Sequence, residues 1–158
     1  MQYTKRKNLN RAYMKLEVWQ RGIDLFELAF RLAEPISDFK LKSQFADAAQ
    51  SVSANIAEGF GRRGINKYLQ SLYIGLGSLR ESLTRAKGLN RPSQITDEAL
   101  KNFDELHYEG ENRLSRLTEK LEQKRDHGDW IARIMEDPEE HITPSLHHSI
   151  TPSLRPNA

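Results

Sequence analysis

The sequence predicts an all-α fold, an antiparallel up-down four-helix bundle, and three observations support this prediction. Apolar residues recur at alternating spacings of three and four along much of the 158-residue chain, as they do on one face of a packed helix. Pro35 and Pro92 interrupt the pattern, and proline is poorly tolerated inside a helix. The connecting segments are short, which favours antiparallel packing of consecutive helices.

The first helix is expected to begin near Leu16 and to end before Pro35. It carries two apolar stripes, and the core of a single bundle is expected to cover only one of them. We assign to the core the stripe with regular three-four spacing: Leu16, Trp19, Ile23, Phe26, Phe30 and Ala33. The second stripe predicts the interface of a homo-oligomer: Val18, Leu25, Leu28 and Leu32.

The second helix is expected over about residues 42–57, where small side chains keep it thin. Gly59 suits a C-terminal cap, and residues 60–64 then form a glycine-rich loop. Asn66 is expected to cap the third helix, whose apolar stripe continues to Ala86.

The fourth helix is expected to begin at Thr96, which can cap it. The bundle then spans residues 16–127. Residues 1–15 form a basic N-terminal arm in this interpretation. Residues 128–158 form a short helix that docks Trp130, followed by a disordered tail of Pro/Ser repeats.

Positive charge is clustered, although the formal net charge is only +2. Residues 62–91 contain seven lysines and arginines against one acid, Glu81, whereas the fourth helix is interpreted as acidic. Such cations are expected to bind a polyanion only if they meet on one surface of the folded chain. The predicted nucleic-acid-binding residues are Arg62, Arg63, Lys67, Arg80, Arg85 and Lys87.

The composition argues against an enzyme. The chain has no cysteine, which excludes disulfides, thiolate metal sites and cysteine nucleophiles. No Glu-x-x-His motif is present, so we expect no metal and no cofactor, and we interpret His107 as a hydrogen-bonded core or interface histidine. The glycines from Gly59 to Gly64 match a dinucleotide-binding pattern, but no strand is expected before them.

The chain lacks an apolar run of the roughly 18 residues that a membrane span needs, and its N-terminus is too charged for a signal peptide. We therefore expect a cytoplasmic protein without a membrane partner. Tyr73 is expected in the core and Tyr68 on the surface, where it can stack on a base. Asn55 and Glu58 are expected to cap the following loop or to bond across a subunit boundary.

Three segments, KLEVWQRGIDLFELAFRL, SVSANIAEGFGRR and LYIGLGSLRES, resemble the four helix bundle protein family, also called the 23S rRNA intervening sequence proteins. The likeness covers about residues 14–122. It implies a cytoplasmic bacterial bundle that assembles into a pentameric ring, encoded in many cases inside intervening sequences of ribosomal RNA genes. It also places Asn55, Glu58, Gly59 and Arg62 on the signature turn of the family.

A related branch, the accessory variability proteins of diversity-generating retroelements, implies nucleic acid and a reverse transcriptase as partners. Together, residues and resemblance predict a non-catalytic homo-oligomer that binds nucleic acid, RNA or DNA and in particular structured RNA, by electrostatic contacts. The alternative is a protein-protein scaffold, a homo-oligomeric ring that binds no nucleic acid. An enzyme that lacks a recognisable motif is the third possibility.

Overall fold

The computed structural model describes residues 9–130, and this part of the chain is helical without a strand. A 3₁₀ helix, Leu9–Lys15, precedes four α-helices. These are α1, Glu17–Ala33; α2, Phe39–Phe60; α3, Ile65–Asn90; and α4, Asp97–Asp126. Each helix packs against its neighbours in sequence, and α1 also packs against α4, so the four close into the predicted bundle.

Two of the predicted segments are described only in part. The N-terminal arm is described from Leu9, and its residues Leu9–Lys15 form the 3₁₀ helix. The short helix and the Pro/Ser tail expected over residues 128–158 lie outside the described residues, except for positions 128–130.

Local signals set most helix ends. The helix α1 ends at Ala33, two residues before Pro35. The side chain of Thr96 accepts a hydrogen bond from the backbone N–H of Ala99 at 3.1 Å, so the predicted start of α4 is confirmed. The start of α3 differs from the prediction, because Gly64 rather than Asn66 occupies the N-cap position and supplies no side-chain bond.

Gly59 is not a helix cap, because α2 continues through it to Phe60. This glycine is buried against α3. A Cβ atom at Gly59 would lie 2.8 Å from the Cβ of Ser71 and 2.8 Å from the Cδ2 of Tyr68. Glycine is therefore needed here for the close approach of two helices, a role that the sequence alone does not separate from capping.

The assignment of the two stripes of α1 holds only in part: in the stripe expected to be core, Ala33 is buried and Leu16 packs against the core. The stripe expected at an interface faces the core of the single chain: Val18 and Leu25 are buried, and Leu28 and Leu32 pack against the core. In the stripe expected to be core, Ile23 is 37% and Phe30 is 56% exposed. The reason for assigning an interface to the first four residues therefore does not hold.

Small residues explain which face of α1 is buried. Gly22 lies on the same face as Val18 and Leu25, and a Cβ at Gly22 would lie 3.1 Å from the Cβ of Ser53 in α2. Close packing of two helices selects the face that has no bulky side chain at the crossing, even where the opposite edge is more aromatic. Trp19 and Phe26 consequently lie at the edge of the core, only partly buried.

The core continues between α2, α3 and α4. The rings of Phe45 and Phe103 pack with their centroids 5.2 Å apart, and both are fully buried. His107 is 2% exposed, and its Nε2 lies 2.9 Å from the carbonyl oxygen of Leu79. The prediction of a hydrogen-bonded core histidine is confirmed.

Candidate nucleic-acid interface

The loop between α2 and α3 brings three of the predicted cations together. Arg62, Arg63 and Lys67 are exposed and line one shallow depression of about 670 Å³, which Trp130 also borders. The guanidinium of Arg62 forms an ion pair with the Glu58 carboxylate. Arg63 and Lys67 form no ion pair with any residue that the structure describes. Their charge is therefore available to an external anion.

The C-terminal half of α4 adds cations that the sequence analysis missed. Because α4 runs antiparallel to α3, this half lies beside the α2–α3 loop. Lys120 and Lys124 line a second cleft of about 630 Å³, which Arg62 and Trp130 also line. Both lysines are exposed and, like Arg63, have no ion-pair partner in residues 9–130.

The acidic interpretation of the fourth helix was correct only for its first half. Residues 97–111 contain six acids and one lysine, whereas residues 113–125 contain five cations and two acids. The spacing of Arg116, Lys120 and Lys124, four residues apart, places them along one face of the helix. This spacing was the sequence signal that could have revealed them.

The other three predicted cations do not join this group. Arg80 and Lys87 are exposed on α3, but they lie about 20 and 30 Å along the helix from Lys67 at ~1.5 Å per residue. Arg85 is partly buried, with its Nε 2.9 Å from a carboxylate oxygen of Glu81 and its Nη1 2.9 Å from the Gln44 side-chain oxygen. The six residues therefore do not form one continuous track.

Tyr68 is buried and Tyr73 is exposed, which is the reverse of what the sequence predicted. Tyr68 is 6% exposed, with its ring 6.3 Å from that of Trp130. Tyr73 is 44% exposed and its hydroxyl donates a hydrogen bond to the Glu122 carboxylate, which raises the pKa of Tyr73 above its usual value. The aromatic side chain that borders both depressions is Trp130, not Tyr68.

Asn55 and Glu58 are satisfied within the chain. The side-chain nitrogen of Asn55 donates to the carbonyl oxygen of Ser51 at 2.7 Å, one turn earlier in α2. Glu58 pairs with Arg62 one turn later, so it orients this arginine and offsets part of its charge. Glu58 therefore stabilises the turn after α2 through its ion pair with Arg62, whereas Asn55 forms a hydrogen bond within α2.

Two further properties of the described residues bear on function. Within residues 9–130, no cluster of three or more histidine and acidic side chains is arranged to hold a metal ion. None of the helices in this part of the chain is both long and apolar enough to cross a membrane.

The fold defines the class of the chain as a small four-helix bundle protein. Within this class, the chain belongs to the 23S rRNA-intervening sequence protein family, whose family model matches residues 14–116. Comparison with curated proteins gives no match. The family match contains Arg62, Arg63 and Lys67 but ends before Lys120 and Trp130, so this part of the cleft lies beyond it.

Proposed function

We propose that this protein is a non-catalytic helical-bundle protein that binds structured RNA through the cationic end of the bundle. The observation that carries the proposal is the group of four unpaired cations around two adjoining depressions: Arg63, Lys67, Lys120 and Lys124. The name of the family refers to ribosomal RNA and supports RNA as the ligand.

Phosphate chemistry explains why this arrangement suits a nucleic acid. Exposed lysines and arginines that lack acidic partners attract phosphate groups and release condensed counterions when they bind. The cations come from two elements, the α2–α3 loop and the end of α4, so they present an area rather than a line. Such an area contacts several phosphates but carries little information about base sequence.

We further propose that the protein assembles with copies of itself, as a pentameric ring in the form that the resemblance implies. The surface is not the stripe with Leu25, which is buried, but the opposite edge of α1. Ile23 and Phe30 are exposed there, and Phe39 at the start of α2 is 80% exposed. Apolar side chains of this size favour burial against another protein surface.

The test uses two double variants with the same change of charge. Lys120→Ala/Lys124→Ala removes two cations from the cleft, and Arg80→Ala/Lys87→Ala removes two exposed cations from the middle and far end of α3. We expect the first variant to bind duplex RNA about tenfold more weakly. The plot of log affinity against log salt should become less steep, with the magnitude of its negative slope reduced by about two. The second variant should bind nearly as the parent does.

A third variant, Arg62→Ala/Arg63→Ala/Lys67→Ala, tests the loop and should weaken binding to all RNA sequences by a similar factor. The scaffold alternative makes the opposite prediction. If the parent shows no salt-sensitive RNA binding while light scattering shows an oligomer, the protein is a scaffold. If both double variants weaken binding equally, the cationic end is not the interface.

A further inference from the structure

Trp130 lines both depressions at the cationic end. These are the cleft of about 630 Å³ and the depression of about 670 Å³ at the α2–α3 loop. Trp130 is partly buried and packs beside Tyr68, with an angle of 52° between the rings. Part of the indole therefore remains exposed next to two cavities.

The cleft has an apolar interior and a mostly positive rim. Leu16, Leu117 and Leu121 belong to or pack against the hydrophobic core and line the cleft beside the indole. The charged groups on its rim are Arg62, Lys120, Lys124 and one carboxylate, Asp129. A ligand that fits both parts needs a flat apolar body and a negative charge close to it. The volume lies within the range typical of small-ligand sites.

From this combination we propose that the cleft beside Trp130 receives one unpaired nucleobase of a bound nucleic acid, stacked on the indole, while Lys120 and Lys124 contact its flanking phosphates. The inference rests on the proposed function, because it names the part of the RNA that the cationic end selects. Bases in a regular duplex are stacked inside and cannot enter, so the ligand is a bulged, looped or terminal nucleotide.

The polar atom of the indole supports a base rather than a purely apolar ring. Nε1 of Trp130 has no hydrogen-bond partner in the described part of the chain, and because this atom is buried the indole must turn before a ligand can accept from it. Buried donors are nearly always paired in proteins. Nucleobases carry carbonyl and ring-nitrogen acceptors that match such a donor, whereas hydrocarbon rings carry none.

The test compares two closed RNA hairpins that differ only in one bulged adenosine. The full-length protein carries Trp19→Phe, so that fluorescence reports Trp130 alone. We expect the bulged hairpin to quench this fluorescence and to bind about tenfold more tightly than the fully paired hairpin. A DNA hairpin with the same bulge should quench it equally if the base rather than the sugar is recognised.

Trp130→Ala, made in the otherwise unaltered chain, should abolish the preference for the bulge, measured with labelled hairpins. The salt dependence of binding to the fully paired hairpin should be retained, because it reports the phosphate contacts. An unchanged circular dichroism spectrum and urea midpoint show separately that the variant is folded. Trp130→Phe keeps a ring without the donor and should retain part of the preference.

The outcomes separate this inference from the proposed function. Salt-sensitive binding of both hairpins with equal affinity overturns the base site but leaves the phosphate interface standing. No binding of either hairpin overturns both. A DNA bulge that fails to quench, beside an RNA bulge that does, shows that the ribose is part of the recognised group and contradicts a site for the base alone.

Discussion

Gly59 shows how one missing side chain positions the candidate interface. Without a Cβ at this position, the last turn of α2 packs directly on Ser71 and on the ring of Tyr68. Tyr68 in turn packs beside Phe60 and Trp130, with ring centroids 6.3 Å apart in both pairs. The close contact between α2 and α3 therefore positions the three aromatic side chains that line the cleft.

A matched pair of glycine substitutions tests this role. Gly59→Ala should lower the free energy of unfolding by about 1–3 kcal/mol, because the new methyl group would overlap Ser71. Gly77→Ala is the control, since Gly77 is exposed in α3 with no atom within 4 Å of an added Cβ. The control should raise stability by roughly 0.5–1 kcal/mol through helix propensity. Urea unfolding measures both.

Equal effects of the two substitutions would contradict the close approach. A rise in stability for Gly59→Ala would show that α3 shifts to admit the methyl group without cost. Tm values from circular dichroism provide an independent comparison of the same two proteins.

At the scale of elements, α1 offers the clearest prediction about packing and assembly. Leu25 is 1% exposed in the core, so Leu25→Ala should lower the free energy of unfolding by about 2–5 kcal/mol. Ile23→Ala and Phe30→Ala remove exposed side chains and should change monomer stability by less than about 0.5 kcal/mol. If the protein associates through this edge, the latter two changes should weaken association.

Urea unfolding at low protein concentration measures the stability, and light scattering at micromolar concentration measures the mass. The expected pattern is a stable variant of lower mass for Phe30→Ala and a less stable variant for Leu25→Ala. An unchanged oligomer in both exposed-residue variants would place the interface elsewhere on the bundle.

The helices and several of their ends could be predicted because the signals are local. Pro35 stops α1 and Thr96 caps α4, and neither depends on distant residues. The buried face of α1 could not be predicted in this way, since both stripes are apolar. The choice depends on Gly22 meeting Ser53, a contact between residues of different helices. The three-four spacing by which the core stripe was chosen carries no information about such a contact.

The candidate site was predicted in part for the same reason. Arg62, Arg63 and Lys67 lie close together in sequence, so their clustering could be recognised before the structure. Lys120 and Trp130 join them only because α4 returns to the same end of the bundle. The burial of Tyr68 could not be predicted for a similar reason, because the space that its ring occupies exists only where Gly59 of the neighbouring helix lacks a side chain.

At the scale of the whole molecule, the charge along α4 is separated between the two ends of the bundle. The first half of α4 is acidic and its second half is basic, and the basic half lies beside the cationic α2–α3 loop. A small net charge thus conceals a strong local field, and local potential rather than net charge determines where a polyanion binds. Beyond Trp130 the chain brings four further acids: Glu136, Asp137, Glu139 and Glu140.

These acids follow the cleft closely in sequence and are expected to oppose RNA binding. Glu140 is ten residues after Trp130, so at ~3.3–3.6 Å per residue it stays within about 36 Å of the cationic end. Deleting residues 136–158 removes four acids and one arginine, which raises the formal net charge by three. We expect duplex RNA to bind several-fold more tightly at about 50 mM salt, and the gain to shrink as salt screens the charges. The urea midpoint should not change.

A full-length control separates charge from the presence of the tail. Glu136→Gln, Asp137→Asn, Glu139→Gln and Glu140→Gln together remove the same four negative charges while keeping the chain. If electrostatic repulsion is the cause, this variant should bind as tightly as the truncated protein or slightly more tightly, since it also retains Arg155. Weaker RNA binding after truncation, with parental affinity in the control, would instead show that the tail itself contacts RNA. A lowered urea midpoint after truncation would show that the tail stabilises the bundle.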